Sequence, residues 1–348
     1  MMQSPVPVFD GHNDTLLRLR KVESPEDDFL LGSTRGHIDL PRARSGGLAG
    51  GFFAMFPPVP GKSVDIGGSV SDIPLPPALE REEALQATLD MASIMFRIER
   101  AAPDRFAVCR SAGDIRSAMQ RGAIAAVFHI EGAEAIDAEL TTLDVLYAAG
   151  LRSLGPVWSR PNIFGEGVPF RFNSSPDTGP GLTDAGKALV KTCNRLRVLI
   201  DLSHLNEKGF RDVAALSDAP LVATHSNVHA ICPHARNLTD WQLGAIAETR
   251  GMVGLNFAPG FLRTDGRMTS DTSLDIMVRH VDALLEALGE DGVGLGSDFD
   301  GAVVPAAIRD CAGLPRLIDA FRQHGYGEKL IEKIAWRNWV GMIEKTIG

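Results

Sequence analysis

Eight short apolar runs recur along this chain with helical stretches between most of them, and that alternation limits the fold more than any other feature. The runs are Val6–Phe9, Leu48–Met55, Ile124–Ile130, Leu151–Trp158, Val198–Leu202, Leu221–Ala223, Met252–Phe257 and Val293–Leu295. They are short and partly β-branched, as strands buried on both faces are. The helical stretches are Arg81–Arg100, Asp114–Arg121, Leu140–Ala149, Thr183–Leu196, Glu207–Leu216, Asp240–Thr249 and Leu274–Leu288, and Thr183 stands where an N-cap belongs. Strand and helix alternating eight times predict an α/β fold, a closed parallel (β/α)8 barrel rather than an open doubly wound sheet. No GxGxxG follows the first run, which argues against dinucleotide binding. Neither a linker nor an internal repeat interrupts the chain, so one barrel domain over 1–348 is expected. Two excursions, Pro57–Pro77 and Pro156–Gly181, would leave the C-terminal rim, where barrel loops carry function.

Composition narrows the class. An apolar fraction of 44% and a mean hydropathy of +0.01 suit a soluble protein with a large core. The net charge of -9, with no basic cluster, argues against nucleic acid as a partner. Cys109, Cys193, Cys232 and Cys311 lack CxxC spacing and read as isolated reduced thiols of a cytosolic protein. With no signal-like N-terminus and no long apolar run, the expectation is a cytoplasmic, unanchored protein without a membrane partner.

Five of the runs lead into metal-ligating side chains. His12 and Asp14 follow the first, Glu131 the third, His204 the fifth, His225 the sixth and Asp298 the last. Imidazoles and carboxylates gathered at strand ends are what a metal-dependent hydrolase needs. His12 and Asp14 are two apart and share one face if the strand stays extended, offering a nitrogen and an oxygen to one cation. Taken alone, the tripeptide reads equally as a turn aspartate beside a structural histidine. His37-Ile38-Asp39 has the same spacing but follows no apolar run. Asp39 before Leu40-Pro41 reads as a helix N-cap, and that pair is assigned to structure.

Glu131 ends the strongest run, AIAAVFHIEG. A lone buried carboxylate is expensive, so the functional reading is a carboxylate bridging two cations with one oxygen to each. His129 shares its face by period; a packed, hydrogen-bonded imidazole is the expectation, with ligation as the alternative. His204 and His225 end consecutive strands, one βαβ step apart, and neutral imidazoles there can converge on a second cation. His229 and His234 read as loop residues too far along to share the mouth. Asp201 lies inside its strand, placed to orient a ligand. Of Asp298 and Asp300 in GSDFDG, one should face the mouth and the other lie outside it, and Asp298 is favoured as the proton-handling residue. Arg236, the only arginine in the loop after His225, suits a substrate carboxylate or a polarised carbonyl; the structural alternative is a solvated loop arginine.

DGHND, IEGAEAI, DLSH, the THS…R loop and GSDFDG, in this order and spacing, resemble the membrane (renal) dipeptidase family of zinc peptidases, within the amidohydrolase superfamily. The resemblance covers essentially the whole chain from Phe9. It implies a distorted (β/α)8 barrel of TIM type with long loops at the C-terminal rim, two zinc ions (Zn2+) per chain, a homodimer, and hydrolysis of L-Xaa-L-Xaa and L-Xaa-D-Xaa dipeptides. Carried over by motif, His12 and Asp14 would bind one zinc and His204 and His225 the other, with Glu131 bridging. Asp298 would take the proton of the attacking water and deliver it to the leaving amine. Arg236 falls on the family's substrate-binding arginine, and Asn13 is a further candidate substrate contact. Two departures bear on the substrate: Trp158 stands where the family typically has a histidine at the scissile carbonyl, and Phe261 where some relatives have a tyrosine. An indole cannot carry an imidazole's charge, so a narrower, more apolar pocket is expected if Trp158 lines the mouth; the alternative is an indole packed under the Pro156–Gly181 loop. Hydrolysis of a lactam or an N-acyl amino acid is a rival reading. So is a metal-binding protein closed by Trp158, although mere binding has no need of Asp298.

Overall fold

A computed structural model describes residues 5–58 and 72–348. Eight parallel strands form the wall: β1 (Val8–Asn13), β2 (Leu48–Met55), β3 (Ile124–Glu131), β4 (Leu151–Gly155), β5 (Leu199–Ile200), β6 (Val222–Ala223), β7 (Met252–Asn256) and β8 (Val293–Gly296). Neighbours pair in chain order, β8 returns to β1 at Asp10↔Leu295, and a single bridge, Asp201↔Val222, joins β5 to β6. The fold is the expected (β/α)8 barrel of TIM type, nearly closed, with helices such as Arg81–Ala101, Asp184–Leu196 and Leu274–Leu288 outside it. Thr183 caps its helix, its hydroxyl accepting from the Gly186 N–H at 3.1 Å.

One strand escapes sequence reading. Phe106–Cys109 runs parallel to the first half of β3, up to Cys109↔Val127, and β4 pairs only with the second half, from Phe128↔Leu151. This four-residue wedge lies between β3 and β4 at the lower end of the wall. At the rim, Asp72–Ile73 pairs antiparallel with Phe170–Arg171, so the two expected excursions meet. Residues 59–71 of the first excursion lie outside the described residues.

Alternation along the strands sorts the interior into levels. On β3, Ala125 and Val127 lie low, His129 above them and Glu131 at the mouth. The floor is filled from outside the barrel. Trp339, on the helix Asn338–Thr346, is fully buried among Phe9, Phe52, Val127, Leu199, Val222 and Met252. Its indole N–H donates to the Leu295 carbonyl at 2.8 Å. A Cβ at Gly11, Gly254 or Gly294 would stand 2.5, 2.9 or 2.5 Å from indole atoms, so three wall strands carry glycine where the ring lies. The Asn338 amide donates to the carbonyls of Glu290 and Val293, fixing the plug to the start of β8.

β1 departs from a regular strand. Asp10 pairs with Gly51 and Asn13 with Phe53, so three residues of β1 advance against two of β2. Phe9 and Gly11 already face the plug, and the extra residue brings His12 to the inner side as well; bulges near active sites re-aim side chains in this way. Buried Asp10 holds the spot, accepting from the Ser297 N–H and hydroxyl, both at 2.7 Å. The four cysteines are buried and free. Among the described residues no helix is long and apolar enough to cross a membrane.

Truncating Trp339 to Ala leaves a large void ringed by glycines that cannot refill it. Chemical denaturation should show a loss of about 3–5 kcal/mol, as for other buried aromatic truncations. A midpoint within experimental error of wild type would show that the floor does not carry the barrel.

Candidate active site

The mouth gathers side chains from five strands around one carboxylate. Glu131 Oε1 lies 2.9 Å from His204 Nε2 and 3.4 Å from His225 Nε2, while its Oε2 lies 3.6 Å from His12 Nε2. His12 Nε2 is in turn 3.6 Å from Asp14 Oδ2. One oxygen of Glu131 thus faces a histidine pair and the other faces a histidine–aspartate pair. The imidazoles of His204 and His225 approach at 3.2 Å between Nε2 atoms, and the rings of His12 and His225 stack at 3.9 Å. Asp298 lies close enough to His12 and Asp14 for one ligand atom of each to meet at a common point.

The imidazoles are aimed by their far nitrogens. His204 Nδ1 pairs with the Ser159 hydroxyl at 2.8 Å, and His225 Nδ1 with the Thr224 hydroxyl at 2.9 Å. That hydroxyl donates to Asp201, whose other oxygen accepts from the N–H groups of Ser203 and Thr224. His129 pairs with Ser153 at 2.9 Å, the packed arrangement expected of it. His204 and Asp298 both adopt left-handed backbone, φ 69° and 59°, a strain that side-chain anchoring must hold.

The electrostatics call for a cation. Asp14, Glu131 and Asp298 converge in a site where Asp14 and Glu131 are each only 4% exposed, and the Arg236 guanidinium lies beside Glu131 and Asp298. Burial, then the Glu131 charge, pushes the Asp14 carboxyl up to about 7. Burial also raises Asp298. Burial acts upward on Glu131 too, but the His12 charge and the close imidazoles of His204 and His225 hold it well below the usual range. Burial lowers His204 to about 4 and His225 further, so both present neutral nitrogens, the form that ligates metals. Among the described residues His12 Nε2 and Asp14 Oδ1 find no hydrogen-bond partner despite full burial. Gly301 leaves room beside them, since a Cβ there would stand 2.0 Å from Asp14 Oδ2 and 2.5 Å from Asp298 Oδ1. Unpartnered donor atoms, an excess of carboxylates and an N/O donor set all fit a divalent cation.

The structure brings Arg236 to the same mouth. It is buried, Nη2 donating to the His225 carbonyl at 3.1 Å, with Nε unpartnered among the described residues and Cζ 5.5 Å from the Phe261 ring. It is not the solvated loop residue of the structural alternative. Phe261 stacks on Phe170 at 6.1 Å. The Trp158 indole packs against Phe56 and Phe170 and also tilts over His204 at 5.7 Å, which places it in an apolar cluster beside that imidazole. Asn13 uses its amide inside the wall, donating to the Phe52 carbonyl and accepting from the Thr15 N–H.

Sequence reading placed His234 away from the mouth, but it is buried, its Nδ1 accepting from the Arg236 N–H and its ring 4.7 Å from Phe261. The loop folds back where an extended one would lead away. His229 is a loop residue, bonded to the Ser174 carbonyl. Asn256 was missed; its amide donates to Asp298 Oδ2 at 2.9 Å. Period two from Gly254 along β7 would have pointed it inward. Arg160 and Glu134 were missed too, a buried pair at 2.6 Å whose guanidinium lies 5.2 Å from both the Phe56 and Trp158 rings. Glu134 lies within IEGAEAI and Arg160 two residues past the fourth run, but nothing local links one to the other.

Comparison with known proteins agrees with this geometry. The model of the membrane dipeptidase family, peptidase family M19, matches residues 1–346. A metallopeptidase from Rhodobacter sphaeroides, solved with a phosphinate mimic of the dipeptide L-Ala-D-Ala, is 54% identical with a TM-score of 0.96, covering 98% of this chain and 99% of that one. Dipeptidase AC, a metallopeptidase of family M19, is also 54% identical, with a TM-score of 0.94 and coverage of 99% and 100%. An uncharacterized protein in the pqqA 5' region of Klebsiella pneumoniae is 52% identical over 242 residues, 70% of this chain and 89% of that one. With a match over nearly its whole length and metal-ligating side chains gathered at its mouth, the chain belongs to the membrane dipeptidase family, peptidase family M19, as a metal-dependent hydrolase.

Proposed function

We propose that the protein is a binuclear zinc dipeptidase acting on dipeptides with small or apolar side chains, of L,L and L,D configuration. The observation that carries this is Glu131, whose two oxygens face different ligand pairs. His12 and Asp14 would hold one cation and His204 and His225 the other, with Glu131 giving an oxygen to each. Bound there, divalent cations supply Lewis-acid polarisation of the scissile carbonyl and a lowered pKa for the attacking water.

The chain's own residues supply the rest. Asn256 occupies Asp298 Oδ2, which leaves Oδ1, on the Asp14 side, to accept the water's proton and return it to the leaving amine. Arg236 is buried and its Nε has no partner among the described residues, so its guanidinium meets the substrate carboxylate as a charge-assisted hydrogen-bond donor. Trp158, Phe170 and Phe261, with Phe56, Ala258 and Met268, form an apolar cluster beside His204 that favours small or apolar side chains. The ligand of the Rhodobacter sphaeroides relative, a mimic of L-Ala-D-Ala, supports the L,D part of this reading.

Three outcomes follow. Elemental analysis of the metallated protein should find two zinc ions per chain, and Glu131→Gln should lower occupancy at both positions; one metal or none in wild type ends the binuclear reading. Asp298→Asn should keep its metal and lose about 10²–10⁴-fold in kcat, the usual contribution of general acid–base assistance. Near wild-type turnover would move the proton to another group. On a panel of L,L and L,D dipeptides and their C-terminal amides, wild type should prefer the free carboxylates and Arg236→Met should lose that preference at unchanged metal content. Equal rates on acids and amides by both proteins would remove Arg236 from substrate recognition.

A further inference from the structure

His37 lies outside the mouth, in a pair assigned to structure, yet it makes a two-point contact with the segment that carries Asp298. Its backbone N–H donates to Asp300 Oδ1 at 2.6 Å, and its Nδ1 accepts from the Asp300 N–H at 2.8 Å. Asp300 Oδ2 is also held, by the Thr15 hydroxyl at 3.0 Å and by Arg18 at 3.5 Å. The segment needs holding. Asp298 and Asp300 both have left-handed backbone, φ 59° and 68°, a conformation unfavourable for residues with a Cβ. Phe299 between them is fully buried, its ring 5.5 Å from His37 and 5.6 Å from Phe257. On the inner side the same segment grips the site: the Asp298 N–H donates to the His12 carbonyl, and the Phe299 carbonyl accepts from the Asp14 N–H. Two consecutive aspartate turns of the wrong hand thus connect the site on one side with His37 on the other.

We propose that His37 is a positioning residue for Asp298, acting through the Asp300 N–H. The inference rests on the reading of Asp298 as the proton-handling group. For Nδ1 to accept, the imidazole must be neutral with its proton on Nε2, and burial lowers its pKa in that direction. Losing the acceptor leaves the Asp300 N–H unpaired and lets the strained turn relax, which displaces the Asp298 carboxylate, while Glu131, His204 and His225 are held by contacts outside this segment. Small displacements of a reacting group have large effects on rate and small effects on binding.

The test uses His37→Phe, which keeps a ring against Phe299 but removes the acceptor, and His37→Asn, whose Oδ1 stands near the position of Nδ1. His37→Phe should lower kcat by about 10- to 100-fold, with KM and zinc content unchanged, and His37→Asn should restore most of the loss. In an Asp298→Asn background, His37→Phe should have no further effect on the residual rate, because residues acting through one group do not add. Four results would overturn the proposal: wild-type kcat in His37→Phe beside an impaired Asp298→Asn, failure of Asn to rescue, losses that multiply in the double variant, or a fall in zinc content that accounts for the lost rate. Full activity in Asp298→Asn alone would instead overturn the reading of Asp298, and the inference with it.

Discussion

Asp14 and Glu131 are carboxylates withdrawn from water within reach of a third, the half-buried Asp298, and the rest of the molecule is arranged around that cost. Buried like charges are tolerated only when something positive shares the space. Arg236 supplies part of it, and protons on His12 and Asp14 would supply more. A divalent cation supplies it outright, which is why ligand binding and proton release are linked at such sites. The barrel makes the arrangement possible because its strand ends converge on one mouth, where no single helix or hairpin could bring five elements together. The apolar cluster of Trp158, Phe170 and Phe261 then limits water at the mouth, and in a drier site each remaining charge acts more strongly.

The wall keeps this site by giving up regularity at chosen places. β1 carries a bulge between Asp10 and Asn13, and His204, Asp298 and Asp300 accept left-handed backbone. Each irregularity is backed by a polar anchor of its own: Ser297 behind Asp10, Ser159 on His204, Asn256 on Asp298 and His37 on Asp300. β3 needs no such device, since Ala125, Val127, His129 and Glu131 follow strict alternation from floor to mouth.

Much of this could be seen in the residues alone. Apolar runs ending in His, Asp or Glu located the strands and the side chains that gather at the mouth, because strand ends and ligand types are both local signals. The fold followed from their alternation with helices. Features that depend on partners far along the chain were not legible. His12 reaches the mouth through a bulge whose register is set by β2, and His37 pairs with a residue 263 positions away. The wedge strand Phe106–Cys109 is too short to stand out and forms only because β3 offers an edge. His234 was placed too far out because distance along a loop says little once the loop folds back. Asp39 shows the opposite case: its cap is a local motif, and the Arg42 N–H donates to it as the sequence suggests.

The floor plug has a consequence for how the barrel comes together. Trp339 follows all eight strands in the chain, yet its ring occupies the space left by glycines on the first and the last two. Those strands cannot reach their final packing before the helix that carries it has arrived. Closure of β8 onto β1 is therefore coupled to docking of Asn338–Thr346, and the contacts that β1 makes with β8 and with the plug, Asp10↔Leu295 and Gly11 against Trp339, are among the longest-range in the molecule. Contacts of that range form late, because the entropy of closing the loop comes before any reward. Asp10, His12 and Ser297 lie on the strands that wait, so the ligand-bearing mouth reaches its working shape only with the last act of assembly at the opposite end.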